Sequence, residues 1–141
     1  MAITQTACTV FKTNLLKGDE DFNTGSAYTY KIALYTADAT LDASTTAYSA
    51  TNQVSGTGYT AGGNTLTPLA PLSSGTTAYI SFANTSWSSA SFTCRGALIY
   101  NSTTGAAVCV LDFGSDKTVV NQTFTITFPA ATSDAAIIRI S

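Results

Sequence analysis

The chain has no histidine, and only 10% of its 141 residues are charged. Without histidine, the usual general base, the usual zinc ligand and every Ser-His or Cys-His nucleophile pair are excluded. Scarce charge excludes other roles. The six bases, Lys12, Lys17, Lys31, Arg95, Lys117 and Arg139, are scattered singly, so no basic patch can displace counterions and no nucleic-acid partner is expected. No apolar run approaches the roughly 18 residues of a membrane span, so no membrane partner is expected either. The opening "MAITQTACTV" lacks the basic start and apolar run of an export signal, which makes a cytoplasm the expected place of assembly. Cysteine is limited to Cys8, Cys94 and Cys109, an odd number without zinc spacing, and the three read as small buried hydrophobes rather than a disulfide framework.

What is present points to an ordered β domain. Hydrophobic residues make up 45% of the chain, too many for disorder at this low charge. Surface scaling gives a folded 14.6 kDa chain about 7,000 Å² of exposed surface, enough burial for one real core, so residues 1–141 are expected to form a single domain. Threonine and serine exceed a quarter of the sequence, and threonine suits the solvent face of strands.

One helix is expected, over 6–17. In "TACTVFKTNLLK", Cys8, Phe11, Leu15 and Leu16 fall near one helical face, Thr6 is placed to cap it, and Gly18 supplies the stop. That face serves the domain's own core or a neighbouring subunit, core packing being the commoner fate.

After Gly18 the periodicity is β. "AYTYKIALYT" (27–36) alternates as a half-buried strand, with Tyr28, Tyr30, Ile32 and Leu34 on one face. The segment 38–52 has no period and reads as an irregular excursion. "TAYISFA" (77–83) alternates again. "ASFTCRGALIY" (90–100) and "AAVCVLDFG" (106–114) flank the hairpin signal "NSTTG", and their continuous apolar runs predict strands buried on both faces. "TFTITFP" (123–129) places Phe124, Ile126 and Phe128 inward, and "AAIIRIS" ends the chain as a last strand. About seven short strands with turn-rich links predict a mainly β fold, an antiparallel β-sandwich or jelly roll with one N-terminal helix.

"QVSGTGYTAGGNTL" (53–66) has the glycine density of a phosphate cradle. Its spacing is G-x-G-x-x-x-G-G, no lysine follows, and a β-type stretch comes next instead of a helix, so neither the dinucleotide fingerprint nor the P-loop fits. The glycines read instead as bends and close backbone approaches that let the chain wrap Tyr59. Two carboxylate clusters remain, "GDEDF" (Asp19, Glu20, Asp21) and "LDFGSDK" (Asp112, Asp116). The first lacks the alternating ligands of a calcium loop, and both read as solvated turns with no cofactor or metal to hold.

Three stretches, "YKIALYTADATLDASTTAYSATNQVSGTGYTAGGNTL", "SWSSASFTCRGALIYNSTTG" and "AVCVLDFGSDKTV", together resemble small virion structural proteins of tailed bacteriophages, of the capsid-decoration, collar or tail-fibre-associated type. The resemblance runs from Phe11 to the C-terminus. It implies a virion structural protein without enzyme activity, and no catalytic or metal residue to carry over. The expected function is capsid decoration of the assembled shell as a homo-oligomer, with the major capsid protein or other virion proteins as partners and the virion as location. The alternative is a collar, tail or tail-fibre component, in which a carbohydrate-binding site holds a host glycan by stacking Trp87 and the tyrosines Tyr48, Tyr59 and Tyr79 on sugar rings. For Trp87 the rival reading is a partly buried anchor. The candidate contact residues are Phe11, Leu15 and Leu16 on the helix, Leu41 and Tyr48 in the 38–52 excursion, and Trp87.

Overall fold

The apolar runs on either side of "NSTTG" form one hairpin that dominates the chain. In the computed structural model, which describes residues 2–141, the elements run in the order β1 (Thr6–Ala7), α1 (Thr9–Lys17), β2 (Tyr30–Tyr35), β3 (Asn64–Thr65), β4 (Leu72–Ser74), β5 (Thr77–Ile80), β6 (Thr85–Asn101), β7 (Ala107–Ile126) and β8 (Ile138–Ile140). Two antiparallel sheets result, a five-stranded one ordered β1-β7-β6-β2-β3 and a three-stranded one ordered β4-β5-β8. The fold is therefore mainly β, with the two-sheet layout of a β-sandwich and a single short helix near the N-terminus.

Burial explains the order of the large sheet. Its centre is Gly96–Tyr100 of β6, flanked by Tyr30–Tyr35 of β2 and Ala107–Val110 of β7. Every residue of those stretches is buried except Lys31, which suits continuous apolar runs covered on both faces. This corrects the half-buried reading of β2, since Ala33 and Tyr35 are as enclosed as Ile32 and Leu34. β2 has neighbours on both edges, and Tyr35 on its second face donates its O–H to Ser49 O in the excursion at 2.6 Å.

The hairpin is longer than its sequence suggests. At about 3.3 Å per residue, the 17 residues of β6 span roughly 55 Å, against a diameter of about 37 Å for a compact chain of this length. Such a strand has to bend, and bulges provide the bends. One falls between Trp87 and Ala90, where Ser89 has φ 48°, and the next between Ala90 and Phe92, opposite Asn121 with φ 49°. A larger one inserts Phe113–Asp116 into β7 between the pairs Gly96↔Asp112 and Cys94↔Lys117. The bent assembly exposes 7037 Å², close to the scaling value for one compact domain.

The helix is shorter than expected. Thr6 and Ala7 pair with Val110 and Cys109, so Thr6 belongs to a strand and Cys8 stands at the N-cap without a side-chain capping bond. The stop is as the sequence predicts. Gly18 adopts φ 80°, its N–H bonds to Leu15 at 3.2 Å, and Asp19 N–H bonds to Asn14 at 2.9 Å, which together make a Schellman motif.

Candidate interaction surface

Three of the six candidate contact residues, Phe11, Leu41 and Trp87, lie inside the chain's own core. Phe11 is buried against Phe22, whose ring stacks on Tyr30 at 4.5 Å. Leu41 is buried because the N-terminal segment lies across it, with Thr4 N–H donating to its carbonyl at 2.9 Å. Trp87 is only 3% exposed, enclosed by Tyr59, Phe92 and Phe124. These three are not free to meet a partner from the folded chain. Trp87 is an anchor, and a sugar ring has no access to its face. Tyr48 is half-buried, its ring stacked on Tyr100 at 4.7 Å. On the helix, Leu15 is half-buried and Leu16 is 90% exposed, since adjacent residues on a helix point about 100° apart.

The glycine-rich loop is a shape motif. A Cβ on Gly63 would fall 1.7 Å from the carbonyl oxygen of Ile32, and one on Gly56 would fall 2.5 Å from that of Ser91, so the loop presses its backbone onto β2 and β6. Tyr59 lies in the bend this allows. Its hydroxyl accepts from Leu34 N–H at 3.0 Å and donates to Gln53 Oε1 at 2.8 Å. Gln53 Oε1 also accepts from Gly62 N–H at 2.8 Å and Tyr48 O–H at 3.2 Å, while Tyr100 O–H donates to Gly62 O at 2.7 Å. These bonds hold the loop down on the large sheet.

The carboxylates divide. Asp112 stands 3.5 Å from Arg95, with both side chains about a third exposed, and accepts from Gly114 N–H at 2.9 Å, so it shapes the wide bulge. Glu20, expected in a solvated turn, is only 7% exposed. Its Oε1 accepts from Tyr30 O–H and Asn101 Nδ2, both at 3.0 Å, while Oε2 is buried without a hydrogen-bond partner. Burial pushes this carboxyl above the usual carboxylate range, against the hydrogen bonds from Asn101 and Tyr30 that favour the charged form. The network ties the segment after the helix to the hairpin turn, where Asn101 Oδ1 accepts from Thr103 and Thr104 N–H. Among the described residues no group of acids and cysteines is placed to hold a metal ion. Cys8, Cys94 and Cys109 are free and buried, and burial pushes their thiols up to about 11, 12 and 12.

The outward-facing surface carries few charges and several large apolar side chains. The exposed large hydrophobic residues are Leu16, Leu69, Leu72, Val120 and Ile140. Leu72 and Ile140 stand at a cavity of about 230 Å³ between α1 and the small sheet, walled by Phe11, Leu15, Phe22 and Ile138. Val120 lies on the outer part of β7, beyond the two residues paired with β1. Of these exposed residues, sequence reasoning named Leu16 and missed Leu69, Leu72, Val120 and Ile140. The surface had two signals, the uncharged runs 43–94, which holds Leu69 and Leu72, and 118–133, which holds Val120.

Compared with family models, curated proteins and solved structures, the chain matches none of them.

Proposed function

We propose that this chain is a structural protein of a tailed-bacteriophage virion, most specifically a decoration protein that binds the assembled shell as a homo-oligomer. The observation that carries the reading is the pairing of a heavily stapled interior with an outer surface poor in charge. Ordinary soluble domains carry about 25% charged residues, which keep neighbours apart; this one carries 10% and leaves Leu16, Leu72, Val120 and Ile140 in solvent. Such a surface gains by contact with other protein, and on a symmetric lattice the gain is repeated at every copy. The resemblance of the three sequence stretches to phage virion proteins supplies the kind of assembly.

A place at the collar, tail or fibre uses the same kind of surface. The glycan-binding form of that alternative is less well supported, because Trp87 is enclosed and Tyr59 is committed to Leu34 and Gln53. The test is the content of purified particles: a fixed ratio to the major shell protein supports decoration, and a few copies per particle support the collar or tail.

A further inference from the structure

The outer part of β7 offers an edge whose free groups can be assigned. On the side away from β6, among the described residues, β7 is paired only with β1, at Cys109 and Val110, which leaves the regular stretch 122–126 without a neighbouring strand. Ser86 turns its carbonyl away from β7, where Asn64 Nδ2 donates to it at 2.9 Å. Its ladder partner is Thr125. When one member of an antiparallel pair faces away from its partner strand, the other does so too. Thr125 therefore points its N–H and C=O out of the hairpin, and Thr123, two residues earlier, does the same. Among the described residues neither backbone makes a hydrogen bond beyond the ladder.

Natural edges of this kind are usually blocked by lysine, proline or an inward-pointing charge. Here none of these occurs between Thr118 and Phe128, and Thr123 and Thr125 are exposed. We infer that residues 122–126 pair antiparallel with the same residues of a second copy, about a two-fold axis at Phe124, joining two hairpins into one sheet ordered β6-β7-β7-β6. In this register Thr123 lies opposite Thr125 of the second copy, and the two exchange both N–H···O bonds. Their side chains extend a cross-strand hydroxyl pairing already present within the hairpin, where the Oγ1 atoms of Thr93 and Thr118 are 2.9 Å apart. Phe124, half-buried beside Trp87 and Phe92, meets its own mate on the same face. A one-residue slip sets outward groups against inward ones and reverses the faces, so the register is specific. The bulge at Asn121 ends the regular edge on one side, and Pro129, which has no N–H to offer, ends it on the other. A second copy is the occupant because the edge is its own complement: neutral, threonine against threonine, and symmetric about one aromatic residue.

The inference deepens the homo-oligomeric part of the proposed function and is tested apart from it. Sedimentation velocity of the full chain over a dilution series should show a concentration-dependent dimer, and the Thr123 and Thr125 amides should exchange more slowly with deuterium as it forms. Thr125→Pro should abolish the dimer while keeping the ladder, because the N–H it removes faces outward. Thr123→Lys, which leaves the backbone untouched, should weaken the dimer at least tenfold and leave the circular dichroism spectrum unchanged. A wild-type chain that stays monomeric at every concentration, or a dimer that survives Thr123→Lys in a folded protein, overturns the pairing. A chain that dimerises this way but is missing from particles contradicts the proposed function and leaves the pairing intact.

Discussion

Burial of Glu20 ties stability to pH. Its carboxyl binds a proton more tightly in the folded chain than in the unfolded one, where the ordinary value is 4.5. The stabilisation from that proton is fully present below 4.5 and is lost as pH rises through the higher folded value. Glu20→Gln should therefore flatten the fall in stability between mildly acidic and neutral pH, and at neutral pH should leave the protein at least as stable, as read by urea unfolding at a series of pH values. A variant that keeps the wild-type slope places the titrating group elsewhere. The glycines give a second contrast. Gly63→Ala adds a Cβ 1.7 Å from the Ile32 carbonyl at φ 80° and should cost about 3 kcal/mol or more. Gly18→Ala, at the same φ with open space around it, should cost only about 1–2 kcal/mol. Equal losses in thermal unfolding would show that close backbone approach is not what Gly63 provides.

The elements were legible from sequence where periodicity was strong and chemistry was local. The Schellman stop at Gly18, the hairpin at "NSTTG" and the inward row Phe124, Ile126 and Phe128 all follow from the order of residues. The length of β6 and β7 does not. Gly114, Ser115 and Asp116 read as a turn between two strands, yet they form a bulge within one, because the ladder resumes at Lys117 opposite Cys94. Periodicity cannot distinguish a bulge from a turn when the pairing that spans it is long-range. The same limit applies to Glu20, whose burial depends on Asn101, 81 residues away, and to Phe11 and Leu41, which are apolar enough for either a core or an interface. Trp87 follows its rival reading as an anchor, and it holds the outer hairpin to the glycine loop through Tyr59 at 6.1 Å. Trp87→Ala should cost about 3–5 kcal/mol and should raise hydrogen exchange across residues 56–62 along with the outer hairpin. If exchange rises in the hairpin alone, the loop is held by its Gln53 hydrogen bonds and not by the indole.

At the scale of the whole molecule, the interior and the surface follow opposite rules. Inside, aromatic rings and a few polar hubs hold the segment after the helix and the glycine-rich loop to the large sheet. Outside, charge is sparse, and both the β7 edge and the rim of the cavity beside α1 are left open. The cost of such a surface is a tendency to associate, which is an advantage only where association is the purpose. Both decoration of a shell and a place in the tail meet that condition, and they differ in copy number.

Quantitative mass spectrometry of gradient-purified particles from a phage encoding this chain tests the central claim most directly. The account predicts that the chain co-purifies with intact particles and stands in a constant proportion to the major shell protein from one preparation to the next. Particles that are infectious and complete yet contain none of it would contradict the account.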